Sequence, residues 1–296
     1  MACKIDGNFV SNDYKNIVKS DVNMLKSVHS ITPNLVTILI GDNPASESYV
    51  KKKKDTCEEL GMASKIYKLS EEIKQKELTD LIKELNENKN VNGILVQLPL
   101  PEHINQYEIM DIIDSLKDVD GFHKENVAKL YRGEDCLEPC TPKGILTLLH
   151  YYGIKMYGKK VTIIGRSDIV GRPLATMMSN RKINSTVTVC HSKTEDLENI
   201  TKQADILICA IGKPNYVNIN MVKEGTAVID VGVNRINDHN AKKGYRLVGD
   251  VDYDEVKDKV AYITPVPGGV GPMTILSLMQ NTLKATYYQH NIKFRY

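Results

Sequence analysis

Two residues four apart in a helical-looking segment offer the first chemistry in this chain. Tyr49 and Lys53 fall in a stretch that reads as a helix from about Ser46 to Leu60, closed by Gly61. Side chains at that spacing lie one above the other on one helix face, so a phenol ring and an amine could meet the same ligand. The amine could hold or deliver a proton if its surroundings lowered its basicity. Lys51, Lys52 and Lys54 fill the neighbouring positions, so the same run also reads as a solvated basic face. Gln97 is the polar residue in the otherwise apolar run Gly93-Ile-Leu-Val-Gln-Leu-Pro-Leu-Pro101. It stands at the C-terminal end of a strand, where open α/β sheets bind ligands, or it is a strand end needing only backbone partners. In Lys117-Asp-Val-Asp-Gly-Phe-His123, Asp120 could grip paired N–H donors of a ligand. The competing reading is an Asx-type turn that holds only its own backbone. Asp118 and Asp120 could also begin a metal site, but the chain supplies no third acidic ligand nearby.

A second constellation is Lys160-Val-Thr-Ile-Ile-Gly-Arg-Ser-Asp-Ile-Val-Gly-Arg-Pro173. A β-branched run stops at Gly165, turns, and restarts as the helical Leu174-Ala-Thr-Met-Met178, which puts the glycines where a phosphate-binding turn needs them. Gly165 allows a tight turn, and Gly171 lets the helix pack close while its free N–H groups face an anion. Ser167 replaces the middle glycine of the usual dinucleotide pattern, so an ordinary strand-to-helix connection also fits. About twenty-five residues on, the strand Ser185-Thr-Val-Thr-Val-Cys190 ends in His191-Ser192-Lys193-Thr194 rather than in an acid. Those groups, with Arg166 in the turn, suit a 2′-phosphate and favour NADP over NAD. Asp168 argues mildly the other way.

These residues need rigid elements around them. Leu35 to Ile40 reads as a strand, as does Ile66 to Leu69, and Leu78, Leu81, Ile82 and Leu85 mark one face of a helix. Strands alternating with helices at this pitch imply a first α/β unit ahead of the nucleotide-binding one. Pro139-Cys-Thr-Pro-Lys-Gly144 reads as a hinge between the two. Asp205 to Gly212 and Ala227 to Asn234 read as further strands ending in glycine, able to approach a nicotinamide ring closely. Ile263-Thr-Pro-Val-Pro-Gly-Gly-Val-Gly-Pro-Met-Thr274 is a fixed irregular segment ahead of an amphipathic C-terminal helix.

Composition narrows the classes. A chain of 296 residues, 42% hydrophobic, with net charge +2, is long enough for two domains and gives no electrostatic case for nucleic acid. No apolar run has the length of a signal core or a membrane span, so a cytoplasmic location is expected. The six cysteines (Cys3, Cys57, Cys136, Cys140, Cys190 and Cys209) contain no Cys-x-x-Cys pair and suit reduced, mostly buried thiols.

Taken together, the motifs Tyr49-x-x-x-Lys53, Val96-Gln-Leu-Pro-Leu100, Asp118-Val-Asp-Gly121, Pro139-Cys-Thr-Pro142, Gly165-Arg-Ser-x-Ile-Val-Gly171, Cys190-His-Ser192, Gly249-Asp-Val-Asp252 and Pro265-Val-Pro-Gly-Gly-Val-Gly-Pro-Met-Thr274 resemble the bifunctional methylenetetrahydrofolate dehydrogenase/cyclohydrolase family. They follow the family's order over almost the whole chain. The resemblance implies an α/β protein of two domains flanking a cleft. Residues 1–140 plus a C-terminal helix, 273–296, would form a folate-binding catalytic domain, and residues 141–272 a Rossmann-like NADP-binding domain with a parallel sheet. It implies NADP-dependent oxidation of 5,10-methylene-tetrahydrofolate, then hydrolysis of the methenyl product to 10-formyl-tetrahydrofolate. By the same resemblance Lys53 is the cyclohydrolase acid/base, Gln97 hydrogen-bonds it, Tyr49 stacks on the folate and Asp120 binds the pterin. Val96, Leu98, Pro265, Gly268 and Gly269 complete the folate contacts. Arg166 and Ser192 would meet the 2′-phosphate, and Ser167 and the turn through Gly165, Ile169, Val170 and Gly171 the pyrophosphate. His191 belongs to the same cofactor set, while Thr141, Gly232 and Val233 would neighbour the nicotinamide. No metal is implied, and a homodimer is. Another Rossmann oxidoreductase with an α/β substrate domain would explain the nucleotide turn but leave Tyr49, Lys53 and the Pro265 segment unused. A non-catalytic binder using the lysine run is the weakest alternative.

Overall fold

The computed structural model describes residues 2–238, 241 and 244–294. From the N-terminus the chain runs through β1 (Cys3–Lys4), α1 (Gly7–His29), β2 (Asn34–Ile40), α2 (Pro44–Glu59), β3 (Ala63–Leu69), α3 (Gln75–Glu87), β4 (Gly93–Val96), α4 (Gln106–Ile112), α5 (Lys124–Arg132) and α6 (Cys140–Tyr151). It continues through β5 (Lys160–Ile164), α7 (Gly171–Ser179), β6 (Thr186–Cys190), α8 (Leu197–Lys202), β7 (Ile206–Cys209), β8 (Ala227–Asp230), β9 (Asn234–Asn237), β10 (Tyr245–Val248), α9 (Tyr253–Val256), β11 (Tyr262–Ile263) and α10 (Val270–Gln289). Two compact units result: Asp13–Cys140 with Ile275–Tyr296, and Met1–Asn12 with Thr141–Thr274.

The first unit holds a parallel sheet in the order β3-β2-β4. Six of the seven residues of β2 are buried, as expected of a central parallel strand with both faces covered. Leu78, Ile82 and Leu85, at helical spacing on α3, pack against Val36, Ile38, Ile94 and Val96. Each such buried side chain contributes roughly 1.5–3 kcal/mol. The end of α3 is closed by Lys117, whose buried ammonium donates to the carbonyls of Leu85, Asn86 and Asn88 at 3.1, 2.7 and 2.8 Å. Carbonyls left without partners at a helix C-terminus are thereby satisfied by a cation, the favourable sign for that end.

The second unit holds a six-stranded parallel sheet in the order β1-β11-β8-β7-β5-β6, with β9 and β10 as a separate antiparallel pair. From β5 the chain moves to β6 on one side and then to β7 on the other. That reversal creates a switch point at the C-terminal ends of β5 and β7, where open parallel sheets bind their ligands.

Four expectations change. The first twelve residues belong with the nucleotide-type unit, not the folate-type unit, because β1 pairs in parallel with β11 at the sheet edge. The expected hinge at residues 139–144 is helical from Cys140 onward. Pro142 falls in the first turn of α6, where a missing N–H removes no helical bond. The run from Ala227 to Asn234 is strand only as far as Asp230, for reasons given below. The C-terminal helix is not amphipathic: every residue from Ile275 to Tyr287 is buried except Gln280, which is half-buried. Several of its polar residues find partners: Thr282 and Thr286 donate to carbonyls four residues back, and Lys284 donates to Asp135 at 2.5 Å and to the Cys136 carbonyl at 2.8 Å.

Candidate active site

Asn43 sets the direction of α2. Its side-chain oxygen accepts from the N–H groups of Ala45 and Ser46 at 2.9 and 3.2 Å, and Pro44 occupies the first turn. With that start, Tyr49 and Lys53 share a face and Lys53 turns inward to 5% exposure, while Lys51 and Lys52 stay exposed. The Lys53 ammonium lies 4.5 Å from the centroid of the Tyr49 ring and donates to Gln97 Oε1 at 2.8 Å. Gln97 follows β4 directly and in turn donates to the Leu98 carbonyl at 2.7 Å. Val96 ends the strand, buried, and Leu98 is half-buried.

Asp120 faces the same amine from the loop after the bridge between Ile94 and Asp118. Asp118 does not face the site. It is the loop's scaffold, its carboxylate accepting from the N–H groups of Gly121 and His123 and from the Asn126 amide. Asn281 of α10 braces the loop from behind, donating to the carbonyls of Val119 and Glu138 at 2.9 and 2.7 Å. Gly121 is required where it stands: φ is +78°, and a Cβ would come within 2.6 Å of the Pro139 nitrogen. Cys140, buried beside Asp120, donates to the Val119 carbonyl at 3.2 Å.

Burial pushes the Lys53 amine below its ordinary value, and the Asp120 and Cys140 side chains oppose that shift. Asp120 is pushed up, first by burial, with Lys53 holding it back. Asp118 is pushed up to about 6 by burial despite its three N–H donors. The group is therefore an amine made less basic, held by an amide, covered by a phenol ring and faced by a carboxylate. Such an amine gives up its proton more readily than a solvated lysine does.

In the other unit, the chain leaves β5 at Gly165 with φ of +119°, and a Cβ there would stand 2.2 Å from the Ala210 carbonyl. Gly171 opens α7, where a Cβ would stand 2.1 Å from the Gly165 carbonyl. The backbone of turn and helix is thus as close as two chains without side chains allow. The Ser167 hydroxyl accepts from the N–H groups of Val170 and Gly171 at 3.2 and 3.4 Å, which fixes the start of α7. Arg166, Ser167 and Ile169 are exposed and Val170 is buried. Asp168 is turned onto Arg172, 2.6 Å away, so the acid that argued against a 2′-phosphate is neutralised within its own turn. At the end of β6, the His191 N–H donates to Thr194 Oγ1, and Ser192 is exposed. Thr141 and Thr274 share a hydroxyl hydrogen bond at 3.1 Å. Val233 is exposed and Gly232 buried. The Pro265 to Gly269 segment is held by the N-terminus: the Gly7 N–H donates to the Gly268 carbonyl at 2.8 Å, and a Cβ on Gly7 would stand 1.7 Å from the Gly269 oxygen. A dinucleotide fits this turn, with Arg166 and Ser192 free of bulky cover at the two strand ends.

The structure thus gathers Tyr49, Lys53, Gln97 and Asp120 in one unit, and the glycine turn, Arg166, His191, Ser192, Gly232 and the Pro265 segment in the other. Two residues without an assigned role emerge as builders. Asp230 accepts from the N–H groups of Gly232, Asp250 and Val251, and this collar is what ends β8. The signal in the sequence was an acid closing the buried run Ala227-Val-Ile-Asp230. Asp250 is its counterpart beneath β7. Among the described residues no group of three or more His, Cys, Asp and Glu is placed to hold a metal ion, and no helix is long and apolar enough to cross a membrane.

Two family models match the chain, one over each half of the sequence. Residues 5–120 match the tetrahydrofolate dehydrogenase/cyclohydrolase catalytic domain, and residues 139–290 match the NAD(P)-binding domain of the same enzymes. The chain belongs to the tetrahydrofolate dehydrogenase/cyclohydrolase family. It is 50% identical over 292 residues to the bifunctional protein FolD of Prosthecochloris aestuarii, covering 97% of this chain and 99% of that one. Among solved structures it is similar to the bifunctional FolD of Campylobacter jejuni, with a TM-score of 0.92, 49% identity, and coverage of 97% of this chain and 99% of that one. It is also similar to the Trypanosoma brucei FolD solved with NADP and an inhibitor, with a TM-score of 0.92, 37% identity, and 97% and 98% coverage. These matches span both units, which the reading as an unrelated Rossmann oxidoreductase does not explain.

Proposed function

We infer that the protein is a bifunctional one-carbon folate enzyme. It oxidises 5,10-methylene-tetrahydrofolate to 5,10-methenyl-tetrahydrofolate with NADP, then hydrolyses that product to 10-formyl-tetrahydrofolate. The observation that carries the second activity is the buried Lys53 bonded to Gln97, in a chain that matches the family from end to end.

The two steps ask different things of the protein. The methylene carbon is flanked by two nitrogens whose lone pairs stabilise the cation left behind, so oxidation needs positioning more than proton transfer. The bound dinucleotide supplies the hydride acceptor. The 165–171 turn and the N-terminus of α7 would hold its pyrophosphate, Arg166 and Ser192 would meet its 2′-phosphate, and Thr141, Gly232 and Val233 would border the nicotinamide.

Hydrolysis requires water to add to the amidinium-like carbon and a proton to reach the departing ring nitrogen. Lys53 serves as that acid/base. A substrate cation close by disfavours its ammonium further, and Gln97 Oε1 fixes the direction of Nζ. Tyr49 stacks on the folate ring, Asp120 takes the paired N–H donors of the pterin, and Val96 and Leu98 line the same strand end. The family resemblance adds Pro265, Gly268 and Gly269 to the folate contacts. The family resemblance also supports a homodimer, which sedimentation would test, and the six free thiols suit the reducing cytoplasm.

A spectrophotometric assay with methylene-tetrahydrofolate and NADP tests the whole reading. Methenyl absorbance should appear and then decay faster than it does without enzyme. No appearance removes the dehydrogenase, and appearance without accelerated decay removes the hydrolase.

A further inference from the structure

The C-terminal edge of the six-stranded sheet carries two glycine turns side by side. One is the 165–171 turn after β5. The other follows β7 at Ile211, Gly212 and Lys213, and the two touch where Gly165 abuts Ala210. In the second turn Gly212 is left-handed, with φ of +66°. Three successive N–H groups converge inward, a backbone arrangement that ordinarily takes an anion such as phosphate. Here the anion is the protein's own. Asp250 Oδ2 accepts from the N–H groups of Ile211 and Gly212 at 2.7 and 3.0 Å, and Oδ1 accepts from the Lys213 N–H and the Asn234 amide, each at 2.9 Å.

Much of the surrounding sequence exists to put that carboxylate there. Asp250 is fully buried, and its segment runs in parallel beside Val217. Asp230 anchors it from the far side through the N–H groups of Asp250 and Val251, each at 2.9 Å. Two glycines make room: a Cβ on Gly232 would stand 2.1 Å from Asp250 Oδ1, and one on Gly249 would stand 1.8 Å from Asp230 Oδ2.

We propose that Asp250 is a positioning residue for the dinucleotide: its carboxylate fills the amide nest of the Ile211 to Lys213 turn, denies that turn to the cofactor's pyrophosphate and thereby directs the pyrophosphate to the 165–171 turn. The same carboxylate holds the Gly212 backbone and the Asn234 side-chain amide. The proposal rests on the dehydrogenase reading above.

The test uses the full-length protein, with NADP binding measured by calorimetry and both activities measured in parallel. In Asp250→Asn an amide nitrogen must face one pair of buried N–H donors. Those donors are satisfied again only if the turn rearranges or takes another anion such as the pyrophosphate. Asp250→Asn should weaken the Kd for NADP by at least about tenfold, while the KM for methylene-tetrahydrofolate and the hydrolysis of supplied methenyl-tetrahydrofolate stay within about twofold. Asn234→Ala removes one donor of the four and should weaken NADP by about threefold.

An Asp250→Asn protein that binds NADP as the wild type does overturns the proposal. If that variant loses both activities together through unfolding, Asn234→Ala decides: a wild-type Kd overturns the role of Asp250, and the smaller weakening upholds it. A wild type that binds NADP without oxidising methylene-tetrahydrofolate refutes the dehydrogenase reading instead, and the binding comparison still settles Asp250.

Discussion

The two units solve their chemical problems with different parts of the chain. In the folate-type unit the work falls on side chains: one amine and one phenol ring on α2, one amide just after β4 and one carboxylate on a later loop. In the nucleotide-type unit it falls on backbone, with glycines placed where any Cβ would collide and two buried carboxylates stitching the turns together. The difference follows from the ligands. A pyrophosphate is recognised through rows of N–H groups, whatever side chains flank them. A proton transfer needs one titratable atom with the right basicity in one place. Substitutions in the two units should therefore fail in different ways.

The sharpest break on the backbone side is Gly171→Ala. With 2.1 Å between the new Cβ and the Gly165 oxygen, the turn must open. Cofactor kcat/KM should fall by about a hundredfold, comparable to the loss of a buried, well-paired contact. Hydrolysis of supplied methenyl-tetrahydrofolate should persist, and an equal loss of both activities would contradict the division. Arg166→Gln comes next. Removing the cation expected at the 2′-phosphate should lower NADP use by about tenfold and leave NAD use nearly unchanged. Unchanged discrimination between the two cofactors would remove Arg166 from the specificity set.

The third effect concerns stability. Lys53 titrates below its ordinary value of 10.5 because it is buried, so in the window between the lowered folded value and 10.5 the unfolded chain binds a proton that the folded chain does not. Unfolding free energy should therefore rise with pH through that window, by up to about 1.4 kcal/mol per pH unit relative to Lys53→Met. Denaturant titrations of the two proteins at neutral and alkaline pH would show the gap change. Parallel curves would mean an unperturbed amine. The smallest effect is Arg172→Gln. Its ion pair with Asp168 is exposed and worth little in itself, but removing it takes one cation away from the phosphate turn. We expect the KM for NADP to rise by about two- to threefold at low salt, with the difference shrinking as salt increases.

Much of this arrangement was legible in the residues. The spacing of Tyr49 and Lys53, the glycines at 165 and 171, and the polar end of the Gly93 to Pro101 run all carry their geometry on their face. The burial of Lys53 does not. In a run of four lysines, nothing local says which one turns inward, and only the packing of α2 decides it. Asp118 and Asp120 look equivalent in sequence, yet one grips its own loop and the other faces the amine, because Gly121, His123 and Asn126 supply donors to the first. The Asp230 and Asp250 collar depends on contacts between segments twenty residues apart, which no local pattern encodes. The C-terminal helix looked amphipathic because Asn281, Thr282, Lys284 and Thr286 are polar. Their partners are carbonyls and the Asp135 carboxylate brought in by folding. The N-terminal twelve residues gave no hint that β1 would complete the edge of the larger sheet, since a two-residue strand has no periodicity to read.

The central claim is that hydrolysis depends on the Lys53 amine while oxidation depends on the turns of the other unit. Lys53→Met, assayed for both activities on the same preparation, tests it most directly. Hydrolysis of methenyl-tetrahydrofolate should fall by about 100- to 10,000-fold, to the spontaneous rate, while NADP still binds with wild-type affinity and oxidation continues at a measurable rate. Formyl product released faster than the uncatalysed reaction allows would contradict the assignment and place the acid/base elsewhere.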